Sequence, residues 1–259
     1  MRKGWLVLCG VIWWGWWFGT GSAMAADPEE EWLQDARSIR ESVREAEWGQ
    51  AREKLRILAE EFVATAPEAG WEPTAIAAVS DCVVELDQAL NPASLRPLEA
   101  WDGAERLWLA LDARIHSHQP LWHEYEEVFR QDLSIVQKAI QTGRPAEIRS
   151  ALDTWSHHME QIRPALSVSF SDQSVQQLEA RMDVSNGDPE TVRLQVEEWE
   201  KLLPALFGGT EKELLQHFSR SQPPVGQSLL LLGTAIAIVL GYVALLKYRH
   251  EQRVLTSRG

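Results

Sequence analysis

The chain has 259 residues, with 25 Lys and Arg against 38 Asp and Glu, a formal net charge of −13 and two cysteines. That length allows one core of about 150 to 200 residues plus targeting segments. The acid excess repels nucleic acid and anionic lipid headgroups alike, so neither is an expected partner.

Residues 1–25 read as a secretory signal peptide. Arg2 and Lys3 precede the apolar stretch Gly4 to Phe18, and small residues follow up to Ala23-Met24-Ala25, where the composition turns acidic at Asp27. A positive start, a short apolar core and an Ala-x-Ala site are the marks of such a leader, with Ala23 and Ala25 as the signal-cleavage residues. The competing reading, an uncleaved anchor, suffers because the stretch is short for a span. Cys9 lacks the surroundings of a lipid-bearing cysteine. Loss of the leader leaves Cys82 as the one thiol, which excludes an intrachain disulfide and leaves pairing between chains or, as preferred here, burial in an apolar helix stripe.

Residues 26–218 form the expected acidic α-helical ectodomain. Trp32, Ala36, Ile39 and Val43 recur at alternating steps of three and four, as do Ala51, Leu55, Leu58 and Phe62. The rhythm returns in Ile76–Leu90, in Trp101, Ala104, Trp108, Leu111 and Ile115, and in the series starting at Trp122, Ile148 and Val192. Such spacing places each set on one side of a helix. Prolines and glycines punctuate the gaps, as in Thr142-Gly143-Arg144-Pro145 and Asn186-Gly187-Asp188-Pro189, with Asp188 a cap and Pro189 the first helical residue. Thr210 and Glu213 fit a capping box. Pro164 to Ser171 alternates apolar and polar residues and is expected as a loop or one short strand. Trp71 lies between prolines, a candidate surface contact, with a lid over the core the preferred reading; the other tryptophans of the ectodomain sit on stripes and read as core.

Residues 219–227 read as a tether and 228–246 as a transmembrane helix. Ser228 to Leu246 has no charged residue and no proline, and as a helix would run roughly 28 Å, close to the ~30 Å hydrocarbon core of a bilayer. Residues 247–259 form a basic tail with Lys247, Arg249, Arg253 and Arg258 against Glu251, which places it in the cytoplasm. Leader and tail aside, 19 bases face 37 acids on the extracytoplasmic side. Gly233, Ala237 and Gly241 recur every four residues, a small-residue face for transmembrane helix packing through which the chain could self-associate. The expected fold is all-α: an exported antiparallel bundle of helix hairpins with one C-terminal transmembrane helix.

Candidates for chemistry are few. His116, His118 and His123, and the pair His157-His158, invite a metal reading, but His116 and His118 point to different sides of a helix and His123 lies beyond Pro120, so they read as solvated helix-end residues. Carboxylate pairs such as Glu60-Glu61 and Glu197-Glu198 lie between stripe positions on solvated faces. No nucleophile elbow, phosphate loop or zinc-protease motif occurs, so neither enzyme activity nor a metal or cofactor is expected.

Trp108-Leu-Ala-Leu-Asp-Ala-Arg114, running to Gln119-Pro120-Leu121-Trp122, and Trp155 followed by Ile162-Arg163-Pro164-Ala-Leu166, sit within this layout of leader, helical domain, membrane helix and basic tail. On these features the chain resembles the sporulation protein YpjB family of endospore-forming bacteria. The resemblance covers essentially the full chain, implies a role in endospore formation and brings no catalytic residues. The leading functional reading is an extracytoplasmic interaction or scaffolding domain that works through an unknown membrane or cell-envelope protein. The alternatives are a domain that senses a ligand or cation and reports to a membrane partner, and an exported hydrolase.

Overall fold

The computed structural model describes residues 28–182 and 189–221. Among them the backbone is helical, with α1 at Pro28–Arg44, α2 at Trp48–Thr65, α3 at Pro73–Ala89, α4 at Pro97–Ile115, a 3-10 turn at Leu121–Glu124, α5 at Tyr125–Thr142, α6 at Pro145–Ser169, α7 at Asp172–Met182, α8 at Pro189–Gly208 and α9 at Glu211–Ser221. Helix starts rely on proline: α1, α3, α4, α6 and α8 all begin at one. Its fixed φ suits the first turn, and its missing N–H would have had no partner there. Acidic first turns at Glu29–Glu31 and at Glu126 and Glu127 favour the positive end of α1 and α5. Gly143 ends α5 in the left-handed region at φ 67°, with its N–H donating to the Ile140 carbonyl.

Two cores share one helix. The first joins α1, α2, α3 and one side of α4 around Trp32, Phe62, Trp71, Leu86 and Leu107. The second joins α5, α6, α8 and α9 to the other side of α4 around Phe129, Trp155, Trp199 and Phe207. Leu109, Ala110, Leu111, Asp112 and Ala113 are all buried. At about 100° per residue, five consecutive buried positions enclose the helix on every side. α4 packs on α1, α3 and α6, and Gly103 lets it approach α3, because a Cβ there would lie 3.3 Å from that of Leu86.

This differs from the one-sided stripe expected for α4. Trp101 and Trp108 are only half-buried, and the Arg40 guanidinium lies over both rings, 5.0 and 4.5 Å from their centroids. Pro164 to Ser171 also differs: α6 continues to Ser169, and the apolar alternation there is not a strand. Ile162, Ala165 and Leu166 carry the helical period through this stretch and are buried, which outweighs the ~3 kcal/mol usual for an interior proline. Trp71 is no surface contact. It is 5% exposed, edge-on to Phe62 at 5.1 Å and Trp32 at 6.1 Å, and its Nε1 donates to Glu29 at 2.8 Å. The lid reading describes it, since the ring closes the end of the first core. α9 runs to Ser221, into the stretch expected as tether.

No helix among the described residues is long and apolar enough to cross a membrane. The leader with Ala23 and Ala25, Asp188, and Ser228 to Leu246 with Gly233, Ala237 and Gly241 lie outside the described residues.

Because α4 belongs to both cores, heating the chain should give one cooperative transition with equal calorimetric and van't Hoff enthalpies; two separated transitions would contradict the shared-helix packing. Gly143→Ala has open space for its methyl, so only the backbone strain acts. We expect a loss of about 1 kcal/mol, or about 2–4 °C in Tm, by thermal denaturation.

Candidate functional site

A groove of about 480 Å³ is walled by α3, α4, α6 and α7. Thr74, Ala78 and Cys82 come from α3, Arg106 from α4, Arg163 and Pro164 from α6, and Val175 and Glu179 from α7. Two ion pairs cross it. Arg106 meets Glu85 at 2.9 Å, joining α4 to α3, and Arg163 meets Glu179 at 3.2 Å, joining α6 to α7. Asp81, Glu160 and Asp172 add carboxylates to the same lining. Adjoining it between α6 and α7, a second groove, also about 480 Å³, shares Arg163, Val175 and Glu179 with the first and is more apolar, with Met159, Leu166, Leu178 and Met182 in its walls.

Cys82 is buried, and burial pushes its thiol up to about 12. At neutral pH it stays protonated, because the thiolate would be poorly solvated. Among the described residues lining the groove there is no histidine to act as its base. This arrangement provides a bounded, mostly anionic cleft and no activated nucleophile.

His116 and His118 are exposed at the end of α4, as expected, whereas His158 is not. His116 ends α4 and pairs through Nδ1 with Asp112 Oδ1 at 2.7 Å. Asp112 Oδ2 accepts the Leu121 N–H at 2.6 Å, so this buried carboxylate ties the end of α4 to the 3-10 turn. His158 is not a solvated helix-end residue: it sits inside α6, part-buried, with Nδ1 2.6 Å from the buried Asp132 of α5. His123 lies edge-on to Trp122 at 4.2 Å, and burial pushes its pKa down. Among the described residues no group of three or more His, Cys, Asp and Glu is placed to hold a metal ion.

A polar tie links α9 to α7. Glu211, in the first turn of α9, accepts the Ser171 N–H at 2.9 Å and the Ser174 hydroxyl at 2.8 Å. Both donors belong to the start of α7, so the carboxylate caps that helix from a distant part of the chain. Burial alone would raise Glu211; the hydrogen bonds from Ser171 and Ser174 outweigh it and hold the carboxyl below its usual value. At the other end of α7, Arg181 donates to the Phe218 carbonyl of α9 at 3.2 Å and stacks on the Phe218 ring at 4.5 Å. Within α9, Glu213 accepts the Thr210 N–H at 2.8 Å, the reciprocal half of the expected capping box. Neither the groove nor the Glu211 tie is visible in sequence spacing, since their residues come from helices far apart in the chain.

The family model for sporulation protein YpjB (SpoYpjB) matches residues 35–256. The chain belongs to the sporulation protein YpjB family. Membership links it to sporulation, and the matched region takes in both the described bundle and the apolar stretch beyond it. No curated protein and no solved structure matches the chain.

Glu211 gives a pH prediction. Its folded pKa lies below its unfolded value, so its contribution is fully present above the ordinary carboxylate range and is lost as pH falls through the folded value. Below about pH 4.5 the native chain should lose stability more steeply than Glu211→Gln. Parallel melting-temperature curves for the two proteins would contradict this.

Proposed function

We propose that this YpjB-family chain is a single-pass membrane protein. Its acidic helical bundle lies on the extracytoplasmic side and serves as an interaction or scaffolding module in endospore formation. The observation that carries the reading is Ser228 to Leu246, nineteen uncharged residues followed by a basic tail. An uncharged stretch of that length is stable in a bilayer as a helix, and the excess of Lys and Arg after it favours the cytoplasmic side. The family match runs through this stretch to residue 256, which supports treating bundle and span as one functional unit.

The reading is non-enzymatic and free of metal or cofactor, supported by the absent catalytic motifs and the protonated Cys82. The bundle acts through a membrane or cell-envelope partner. Gly233, Ala237 and Gly241 offer a face for that partner or for a second copy. The groove walled by α3, α4, α6 and α7 favours a second reading, in which the bundle senses a small ligand or cation. That reading requires the melting temperature to rise with added ligand by mass action.

In an endospore-forming host lacking this protein, the full chain should restore spore yield. A chain ending at Ser221, exported and accumulated to the same level, should not restore it. Full restoration by the truncated chain would overturn the anchored reading. Gly233→Leu with Gly241→Leu should weaken association in a bilayer reporter assay, and unchanged association rules that face out.

A further inference from the structure

α7 differs from the other helices in how it is held. Two adjoining grooves of about 480 Å³ run between it and α6, and an ion pair, Arg163 to Glu179, crosses them from α6. α9 holds α7 at each end, through Glu211 at the start and the Phe218 carbonyl at the finish. Start meets start and finish meets finish, so α7 and α9 run side by side in the same direction. Trp199 Nε1 adds a bond to the Arg181 carbonyl at 2.8 Å, fastening the finish of α7 to α8 as well.

We propose that α7 is a hinged strap over the groove beside α3, latched shut by Glu211 of α9. The lighter polar attachment is the one at the start of α7. Two neutral donors and one carboxylate hold it, whereas the finish has the Arg181 stack, the Phe218 carbonyl and the Trp199 bond. Val175, Gln176 and Glu179 of the strap face Cys82 and Asp81 across the groove, so lifting the start of α7 uncovers the thiol. The strap is a property of the described bundle and holds whether or not the chain spans a membrane, so its test is separate from that of the anchored reading.

Cys82 provides the readout. In the full chain carrying Cys9→Ser it is the one thiol, and its labelling by a small maleimide under native conditions reports local opening. Glu211→Ala removes the latch and should raise the labelling rate roughly 10-fold or more, the scale set by losing hydrogen bonds to a charged group. Glu213→Ala weakens the cap of α9 itself, at Thr210, and should leave the rate within about twofold. A rate unchanged in Glu211→Ala, or raised equally in Glu213→Ala, overturns the strap. Hydrogen exchange supplies the second measure: amides of α7 should lose protection in Glu211→Ala while those of α4 keep theirs, and equal loss in both helices overturns the proposal as well.

Discussion

Complete burial of Leu109 to Ala113 in α4 is the constraint on which the remaining architecture depends. Leu107, Ala110 and Leu111 belong to one core and Leu109 and Ala113 to the other. No face of this segment is left for solvent, so neither core can be completed without it. Asp112 stands in the middle of the same run, and its position explains its burial. One oxygen faces His116 and the other takes the Leu121 N–H, which turns the chain out of the first core and into the second. An unpaired carboxylate in that place would cost several kcal/mol, and here the hydrogen bonds offset the burial.

Charge follows the same division between inside and outside. Asp112 and Asp132 are buried and each faces a histidine, while most of the acid excess stays on helix surfaces, much of it in short-range pairs with arginine such as Arg56 with Glu53 and Glu60. Exposed pairs of this kind contribute little to stability. Their consequence is a surface of one dominant sign, which keeps anionic polymers and headgroups away and suits a domain whose contacts are with proteins. The groove repeats this balance on a small scale, with two arginines among a larger number of carboxylates.

Sequence periodicity reveals α1, α2 and α5 well because each buries one face, so apolar residues recur at the helical period. It misleads for α4, where burial is all round and the tryptophans of the stripe lie at the rim under Arg40. Pro164 hides the end of α6, since a local rule against interior proline loses to the packing of Ala165 and Leu166 in the core. Trp71 looks exposed between two prolines, yet the close of the first core lies where that loop crosses α1 and α2. The groove and the Glu211 cap are illegible for another reason. Their partners stand far apart in sequence, 40 residues in the case of Ser171 and Glu211, and nothing local marks which helices will meet. The family resemblance is read from Trp108 to Trp122 and around Trp155, and these residues lie within the matched range 35–256, where they contribute to the shared helix, the turn that follows it and the second core.

The central functional claim is the sidedness of the bundle. In intact cells making the Cys9→Ser chain, a cysteine introduced as Leu98→Cys, at a position 81% exposed on α4, should react with a membrane-impermeant maleimide added from outside. One introduced as Ser257→Cys should react only after the membrane is opened. Labelling of both before permeabilisation, or of neither until permeabilisation, would contradict an exported bundle joined to a cytoplasmic tail.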